Sequence, residues 1–222
     1  MQAIIMAAGL GTRLRPLTEK TPKPLILVGG IPLLGRSIST LPDSIDELIM
    51  IVGHHADQIR AYVPSVWKKK LQFVEQTELL GTGHALTVAK PLLADRFLVI
   101  NGDDLYSKSD LDRLTKTELG MLVYKLPSPI RAGRPIIAKD GTLQSIEESA
   151  LTDLVNCGAY LVNQSFFNYP LVKLPKRNEY GLPQTLATMA HDFPIKIIEA
   201  KFWMPVGTHE ELAAAERYFG KS

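Results

Sequence analysis

A single cysteine, Cys157, stands in a chain of 222 residues, so no disulfide can form within it. That fits a reducing cytoplasm, where thiols stay free. Its neighbours Val155, Ala159 and Tyr160 predict a buried thiol behaving as a small hydrophobe rather than a nucleophile. Also missing is any apolar stretch near the roughly 20 residues of a membrane span. No basic region precedes the first apolar run, as it would in a signal peptide. The chain therefore reads as unexported, cytoplasmic and without a membrane partner. A surplus of one charge sign is absent too. Lys plus Arg number 25 and Asp plus Glu 23, a formal charge of +2, which argues against a dedicated nucleic-acid binder. The densest basic run, Lys68-Lys69-Lys70, suits a solvated element end better than a binding patch. With 45% hydrophobic and 22% charged residues, the chain is of ordinary globular composition and long enough to bury a core as one domain.

Two common phosphate-binding signatures fail at the most informative stretch, Gly9-Leu10-Gly11-Thr12-Arg13-Leu14-Arg15-Pro16-Leu17-Thr18. A dinucleotide fingerprint needs a third glycine where Leu14 stands, and a Walker A loop needs to close on Gly-Lys-Ser/Thr. What is there follows an apolar run, Ala3-Ile4-Ile5-Met6-Ala7-Ala8, which predicts a strand buried on both faces. Glycines at its end let the main chain turn tightly, so that N–H groups can surround an anion. Two cations, Arg13 and Lys23, share the stretch, the second inside Pro22-Lys23-Pro24. A Gly/Pro surface turn would explain the glycines but not the cations. The complete pattern resembles the signature loop of the sugar-1-phosphate nucleotidyltransferases. The resemblance implies that Ala8, Gly9, Gly11 and Thr12 hold the triphosphate of an NTP, and that Arg13 and Lys23 are the catalytic cations.

Further along, Glu47-Leu48-Ile49-Met50-Ile51-Val52 and Leu71-Gln72-Phe73-Val74-Glu75 read as strands, with a helix from about Ala56 to Tyr62 between them. That alternation predicts a parallel sheet with right-handed crossovers. A second glycine loop, Gln76-Thr77-Glu78-Leu79-Leu80-Gly81-Thr82-Gly83-His84-Ala85, ends at a helix N-terminus, where anions are favoured. Gln76 carries both a donor and an acceptor, as reading a pyrimidine edge requires. This loop resembles the base-recognition loop of the N-acetylglucosamine-1-phosphate uridylyltransferases, which implies that Gln76 and Gly81 contact uracil and that Thr82 belongs to the nucleotide site. UTP is the first expectation and dTTP the second. His84 is expected to pack at the helix start near the nucleotide, not to act as a base.

A fourth strand, Phe97-Leu98-Val99-Ile100-Asn101, runs into Gly102-Asp103-Asp104, and ligands bind at that edge of a parallel sheet. Mg²⁺ usually takes one or two carboxylates plus substrate phosphates. The family's Gly-Asp motif matches Gly102 and Asp103, which implies Asp103 as metal ligand, Gly102 in the sugar-phosphate site, and Asp104 as a supporting or turn residue. Met121 to Lys125 reads as another strand, after which Pro127, Pro129 and Pro135 break the pattern. Asp140-Gly141 predicts a two-residue type I′ hairpin turn. By the same resemblance Glu147, Asn156 and, more weakly, Glu179 contact the sugar. Two positions depart from the family. Glu148 stands where many members have a phosphate-binding Lys, and Pro205 stands where Trp-x-Asp-x-Gly-Thr would supply a second metal ligand. Proline has no side-chain oxygen to offer. Thr208 with Glu211 predicts a capping box opening a last helix, about Glu210 to Tyr218, after a helix near Thr185 to Ala190.

The resemblance runs end to end. It implies an α/β fold: a single-domain, Rossmann-like three-layer αβα sandwich with a mainly parallel mixed central sheet. It also implies that residues 1–222 form one nucleotidyltransferase domain, with a nucleotide-binding part of about 1–118 and a sugar-phosphate-binding part of about 119–222. No C-terminal hexapeptide-repeat domain or second catalytic domain is expected. The implied function is synthesis of an NDP-sugar and pyrophosphate from an NTP and a sugar 1-phosphate, with Mg²⁺ as cofactor. The sugar and the oligomeric state stay open. Two rivals are kept: a phosphocholine-type cytidylyltransferase and a non-catalytic nucleotide-sugar binder.

Overall fold

Branched apolar runs make the strands, and half-apolar segments between them make the helices that cover both sheet faces. The computed structural model describes residues 1–175 and 177–220. In chain order the strands are β1 (Gln2–Ala7), β2 (Leu27–Val28), β3 (Ile31–Pro32), β4 (Glu47–Val52), β5 (Lys70–Glu75), β6 (Arg96–Asn101) and β7 (Asp104–Tyr106). They continue as β8 (Gly120–Ile137), β9 (Leu143–Asn163), β10 (Val172–Lys173), β11 (Tyr180–Gly181), β12 (Lys196–Glu199) and β13 (Trp203–Pro205). The helices are α1 (Leu33–Ser39), α2 (Ala56–Val66), α3 (Gly81–Ala89), α4 (Lys108–Leu114), α5 (Leu182–Met189) and α6 (His209–Phe219).

Seven strands form the main sheet in the order β12-β8-β9-β6-β1-β4-β5. β1 runs parallel to β4 and β6, β4 to β5, and β12 to β8. β9 is antiparallel to both of its neighbours, which makes the sheet mixed. Alternate residues of one strand supply different cores, as the period of two requires. Ala3, Ile5 and Ala7 pack with Leu34 and Ile38 of α1, Ile59 and Val63 of α2 and Leu111 of α4. Ile4 packs on the other side with Leu86 of α3 and Leu186 and Met189 of α5. The expected αβα layering is therefore present. α6 closes a third, smaller core of Leu14, Val28, Leu33, Leu105 and Val206, which seats the loop after β1. The expected capping box is present: Thr208 Oγ1 accepts from Glu211 N at 3.2 Å, and Glu211 Oε2 accepts from Thr208 N at 3.0 Å.

Two local expectations are corrected. The prolines after Lys125 do not end β8, which runs on to Ile137 against β9. β12 flanks only Gly120 to Val123, so beyond that point β8 is an edge strand, where a missing N–H costs no ladder bond. The register shift between Lys125 and Ile130 holds Pro127 and Pro129. Nor is the hairpin turn a two-residue type I′. Ala138 N donates to Thr142 O at 2.9 Å and Gly141 N to Ala138 O at 3.0 Å, which leaves a three-residue loop, 139–141. Of the turn residues only Gly141 has positive φ, +79°, so this is a type I turn closed by a left-handed glycine.

Asp110 joins distant segments and carries a prediction. Its buried carboxylate pairs with Arg113 at 2.6 Å and accepts from Lys201 N and Phe202 N at 2.9 and 3.0 Å, just ahead of β13. Burial opposes its charge, but the Arg113, Ser107 and backbone donors outweigh that and hold the carboxyl below its ordinary 3.8. Asp110→Ala leaves these donors unpaired and is expected to cost about 2–3 kcal/mol in urea unfolding. A lowered folded pKa means that the contribution is present above 3.8 and lost as pH falls through the folded value. Wild type should thus lose its advantage over the variant in acid.

Candidate active site at the carboxyl edge of the sheet

β1, β4 and β6 pair in register, with Ala7 beside Val52 and Met6 beside Asn101, so their carboxyl ends finish together. Such an edge is where open α/β sheets bind ligands. A cavity of about 530 Å³ opens there. Ala8, Gly9, Gly11, Thr12, Arg13, Lys23, Gln76, Gly81, Thr82, Asp103 and Glu179 all line it. Residues spread across more than half of the chain are brought to one place.

The first loop is held from several sides. Gly11 has φ +63°, and its Cα lies so close to Thr18 and Lys23 that a Cβ would meet Thr18 Cγ2 at 2.8 Å. Thr18 Oγ1 donates to Gly11 O at 2.9 Å. Lys23, only 8% exposed, pairs with the Asp103 carboxylate across the cavity. Gly207 packs against the Arg13 guanidinium, 3.1 Å from Nη2 to where a Cβ would stand. Three contacts had no sequence signal: His55 Nε2 meets Glu19 O at 3.1 Å, Gln58 donates to Lys20 O at 2.8 Å and His209 Nε2 meets Arg15 O at 2.9 Å. All three tie carbonyls of the loop to helices elsewhere, and no local pattern announces such pairs.

In the second loop Gln76 is buried at 5% exposure rather than offering a loose amide. Its Nε2 donates to Gly81 O at 3.1 Å and lies 3.2 Å from His84 Nδ1. His84 thus does pack at the helix start, and its contact there is with Gln76. Gly81, at φ +89°, meets the β11 backbone so closely that a Cβ would sit 2.7 Å from Tyr180 O. Thr82 Oγ1 accepts from Leu182 N at 3.0 Å, joining the loop to the start of α5. These contacts bring Glu179, beside Tyr180, into the first cavity.

Asp103 and Asp104 differ sharply. Asp103 faces the cavity with a side chain 35% exposed. Asp104 is not a turn residue: it begins β7, pairs with Pro205 of β13, and is buried. Its Oδ2 accepts from Asn101 Nδ2 at 3.0 Å and from Tyr106 OH at 3.4 Å. Burial first, and the Asp103 charge second, push the Asp104 carboxyl well above the ordinary carboxylate range. Val206 N donates to Asp103 O at 3.2 Å, so the Pro205 segment does stand beside the acidic loop. Among the described residues no cluster of three His, Cys, Asp or Glu side chains could hold a metal unaided. The Asp103 carboxylate, facing the cavity, suits Mg²⁺ that keeps phosphate oxygens and waters as its other ligands.

A second cavity, about 710 Å³, lies beside β8 and β9 and is lined by Arg131, Gly133, Glu148, Asn156, Arg177 and Gln184 among others. Asn156 is fixed in it: Nδ2 donates to Tyr160 OH at 2.5 Å and Oδ1 accepts from Gly158 N at 3.0 Å. Glu148 accepts from Gln184 at 2.6 Å. Glu147 lies in neither cavity wall and pairs with Arg134 on the hairpin. Gly102 lines neither; it sits under β1, where a Cβ would meet Met6 O at 2.8 Å. Cys157 is buried with no exposure, which pushes its thiol well up and leaves it unreactive, as its apolar neighbours predict.

A model of the nucleotidyl transferase family matches residues 2–120, more than half of the chain. The chain belongs to this nucleotidyl transferase family. It is 32% identical over 223 residues to the bifunctional protein GlmU of Methanocaldococcus jannaschii, covering 98% of this chain and 54% of the relative. It is 34% identical over 240 residues to the bifunctional protein GlmU of Acinetobacter baumannii, covering 98% and 51%. The chain thus spans about half the length of the curated relatives it matches. Among solved structures it resembles a Bacillus anthracis protein assigned as a glucose-1-phosphate thymidylyltransferase, with a TM-score of 0.86 at 24% identity over 100% of this chain and 96% of that one. HddC of Yersinia pseudotuberculosis, solved with GMP-PN, matches with a TM-score of 0.75 at 25% identity over 98% and 99%. The three-layer mixed-sheet fold read from the sequence is therefore shared with these solved structures. Among the described residues no helix is long and apolar enough to cross a membrane.

Proposed function

We propose that this nucleotidyltransferase moves a uridylyl group from UTP to a sugar 1-phosphate, with dTTP as the second nucleotide. The observation that carries the base choice is the Gln76 amide. Its Nε2 is occupied by Gly81 O and His84 Nδ1, so Oε1 remains to read the base. Set opposite N3, an acceptor oxygen suits uracil or thymine, whose N3 donates, over cytosine, whose N3 accepts. This supports UTP and dTTP over the CTP of the cytidylyltransferase alternative.

The second cavity is the proposed acceptor site, with Asn156 on the sugar hydroxyls. Arg131 and Arg177 there can meet the phosphate that Glu148 would repel. Glu147, paired on the hairpin, can reach a sugar only if that pair opens.

In the reaction, a phosphate oxygen of the sugar 1-phosphate bonds to the α-phosphorus of UTP, and the bond to pyrophosphate breaks with its electron pair going to the leaving group. The attacking phosphate is largely dianionic at neutral pH, since its second pKa is about 6, so no general base is required. Main-chain N–H groups of the Gly9 to Thr12 turn can hold the β- and γ-phosphates, while Arg13 and Lys23 neutralise charge that grows on the α-phosphate and the departing pyrophosphate. Alignment of the two phosphates across the sheet edge accounts for a further large share of the acceleration. Mg²⁺, held by Asp103 and nucleotide oxygens, would supply electrostatic stabilisation of the same charge.

The test is pyrophosphate release with Mg²⁺, crossing UTP, dTTP, CTP, GTP and ATP with sugar 1-phosphates and phosphocholine. Turnover with UTP or dTTP and a sugar 1-phosphate is expected. Turnover with CTP and phosphocholine overturns the base reading. Nucleotide binding without turnover on any pair gives the binder reading that the missing carboxylate at Pro205 favours. Gln76→Leu, which keeps volume but loses the acceptor, is expected to raise the KM for UTP about 10–100-fold while leaving kcat within severalfold, read in the same assay.

A further inference from the structure

Asn101 ends β6 and lines the first cavity beside Asp103. Its side chain is seated by its surroundings rather than free. Nδ2 donates to Oδ2 of buried Asp104 at 3.0 Å. Gly158 at φ +71° leaves the slot the amide fills: a Cβ there would stand 2.0 Å from Asn101 Nδ2 and 3.2 Å from Oδ1. Asp104 is in turn anchored by the β7–β13 pairing to Pro205, with the single proton of Tyr106 OH shared between Cys157 O at 2.9 Å and Asp104 Oδ2 at 3.4 Å. With Nδ2 committed to Asp104, Oδ1 is the amide atom left to the cavity, and it has no protein partner among the described residues. A neutral amide oxygen is an ordinary ligand for a hard divalent cation. Asn101 and Asp103, two residues apart, line the same cavity, and Pro205, which supplies no side-chain oxygen, pairs with the Asp104 that holds the amide.

We infer that Asn101 Oδ1 is the second protein oxygen on the divalent cation that accompanies the nucleotide, and that Asp104 is the positioning residue that holds its amide in place. The inference rests on the first cavity being the nucleotide site. It explains why a carboxylate is buried at Asp104 with its best hydrogen bond given by a cavity-lining amide. It also explains how the site manages with proline at position 205. Replacing one carboxylate by an amide removes a unit of negative charge, so the cation should arrive with the triphosphate rather than bind ahead of it.

The experiment uses the full chain, Mn²⁺ as a paramagnetic probe, and a UTP analogue with an imido bridge between the α- and β-phosphates. Electron paramagnetic resonance counts bound Mn²⁺ in the ternary complex, and calorimetry in EDTA measures the analogue alone. Asn101→Ala is expected to weaken Mn²⁺ about 10–100-fold, in the range found when groups around a metal are lost, with analogue affinity in EDTA unchanged. Asn101→Asp restores Mn²⁺ binding or exceeds wild type. Asp104→Asn, which keeps the shape but loosens the amide, weakens Mn²⁺ by less than Asn101→Ala and leaves the EDTA affinity alone. Circular dichroism checks that each variant folds, and Asp104→Asn reports independently should Asn101→Ala not fold. Unchanged Mn²⁺ affinity in both Asn101→Ala and Asp104→Asn, with the analogue still bound, overturns the inference and spares the nucleotide site. Wild type that binds no analogue with or without Mn²⁺ overturns both.

Discussion

Replacing Lys23 by alanine is expected to lower the rate of pyrophosphate release by about 10²–10³-fold, the loss seen when one charge-stabilising donor is removed from a polar active site. The size follows from where the ammonium stands. Lys23 is 8% exposed and faces Asp103 across the cavity, so its charge acts in a setting that water screens poorly. The lysine is also held by its neighbours, since its Cβ lies at the Gly11 contact, and it need not be ordered when substrate arrives. Alanine keeps the backbone of the Pro22-Lys23-Pro24 turn, in which Leu25 N donates to Pro22 O at 2.8 Å, so the thermal midpoint should move little. Lys23→Arg is not a rescue, because a planar fork cannot take the place of a point charge beside Asp103. The decisive readout is kcat with UTP and acceptor saturating, alongside circular dichroism. Turnover equal to wild type removes Lys23 from the mechanism.

Much of this site could be read from the chain because its parts are short-range patterns. β1 is a run of apolar residues ended by glycines, and the Lys23 turn is marked by its two prolines. Gln76 sits one residue past a strand, and Thr208 with Glu211 spells a capping box that is present. What escaped the sequence depends on partners far along the chain. The prolines after Lys125 looked like breaks because one strand alone does not reveal that it lies on an edge, and only the β9 pairing shows it. The Asp140-Gly141 pair signals a tight turn, but whether two or three residues form it is set by the register of both arms. Glu147 and Glu148 are neighbours on β9, so the alternation of a strand sends them to opposite faces. The sequence could not say which of the two would reach a cavity. It is Glu148 that lines the second one, while Glu147 pairs with Arg134. Asp104 is the sharpest case, since an Asp-Asp pair after a glycine reads as turn chemistry until β13 is seen to cover it.

The second large effect is expected at Gly11. Its φ of +63° lies in the left-handed region, which costs an alanine about 1–2 kcal/mol of backbone strain. Sterics add to this: the new Cβ would stand 2.8 Å from Thr18 Cγ2 and 3.0 Å from Lys23 Cβ, inside contact distance of both. Something must move, and the two neighbours are the residue that ties the loop to itself through Thr18 Oγ1 to Gly11 O and the proposed catalytic cation. Gly11→Ala should therefore raise the KM for UTP and lower kcat together, with a combined loss of about 10²-fold or more in kcat/KM, since small misplacements of aligned groups carry costs of that order. Global stability should fall by no more than about 1–3 kcal/mol, the scale of one strained residue, because the sheet cores on both faces do not include this loop. Gly9→Ala makes the control: nothing lies within 4 Å of its added Cβ, and its φ is not in the left-handed region. A loss in kcat/KM at Gly11 that exceeds the loss at Gly9 by at least tenfold ties the defect to the pinned turn. Equal losses at both positions would mean instead that the methyl itself blocks the triphosphate, and that the backbone conformation at Gly11 is incidental.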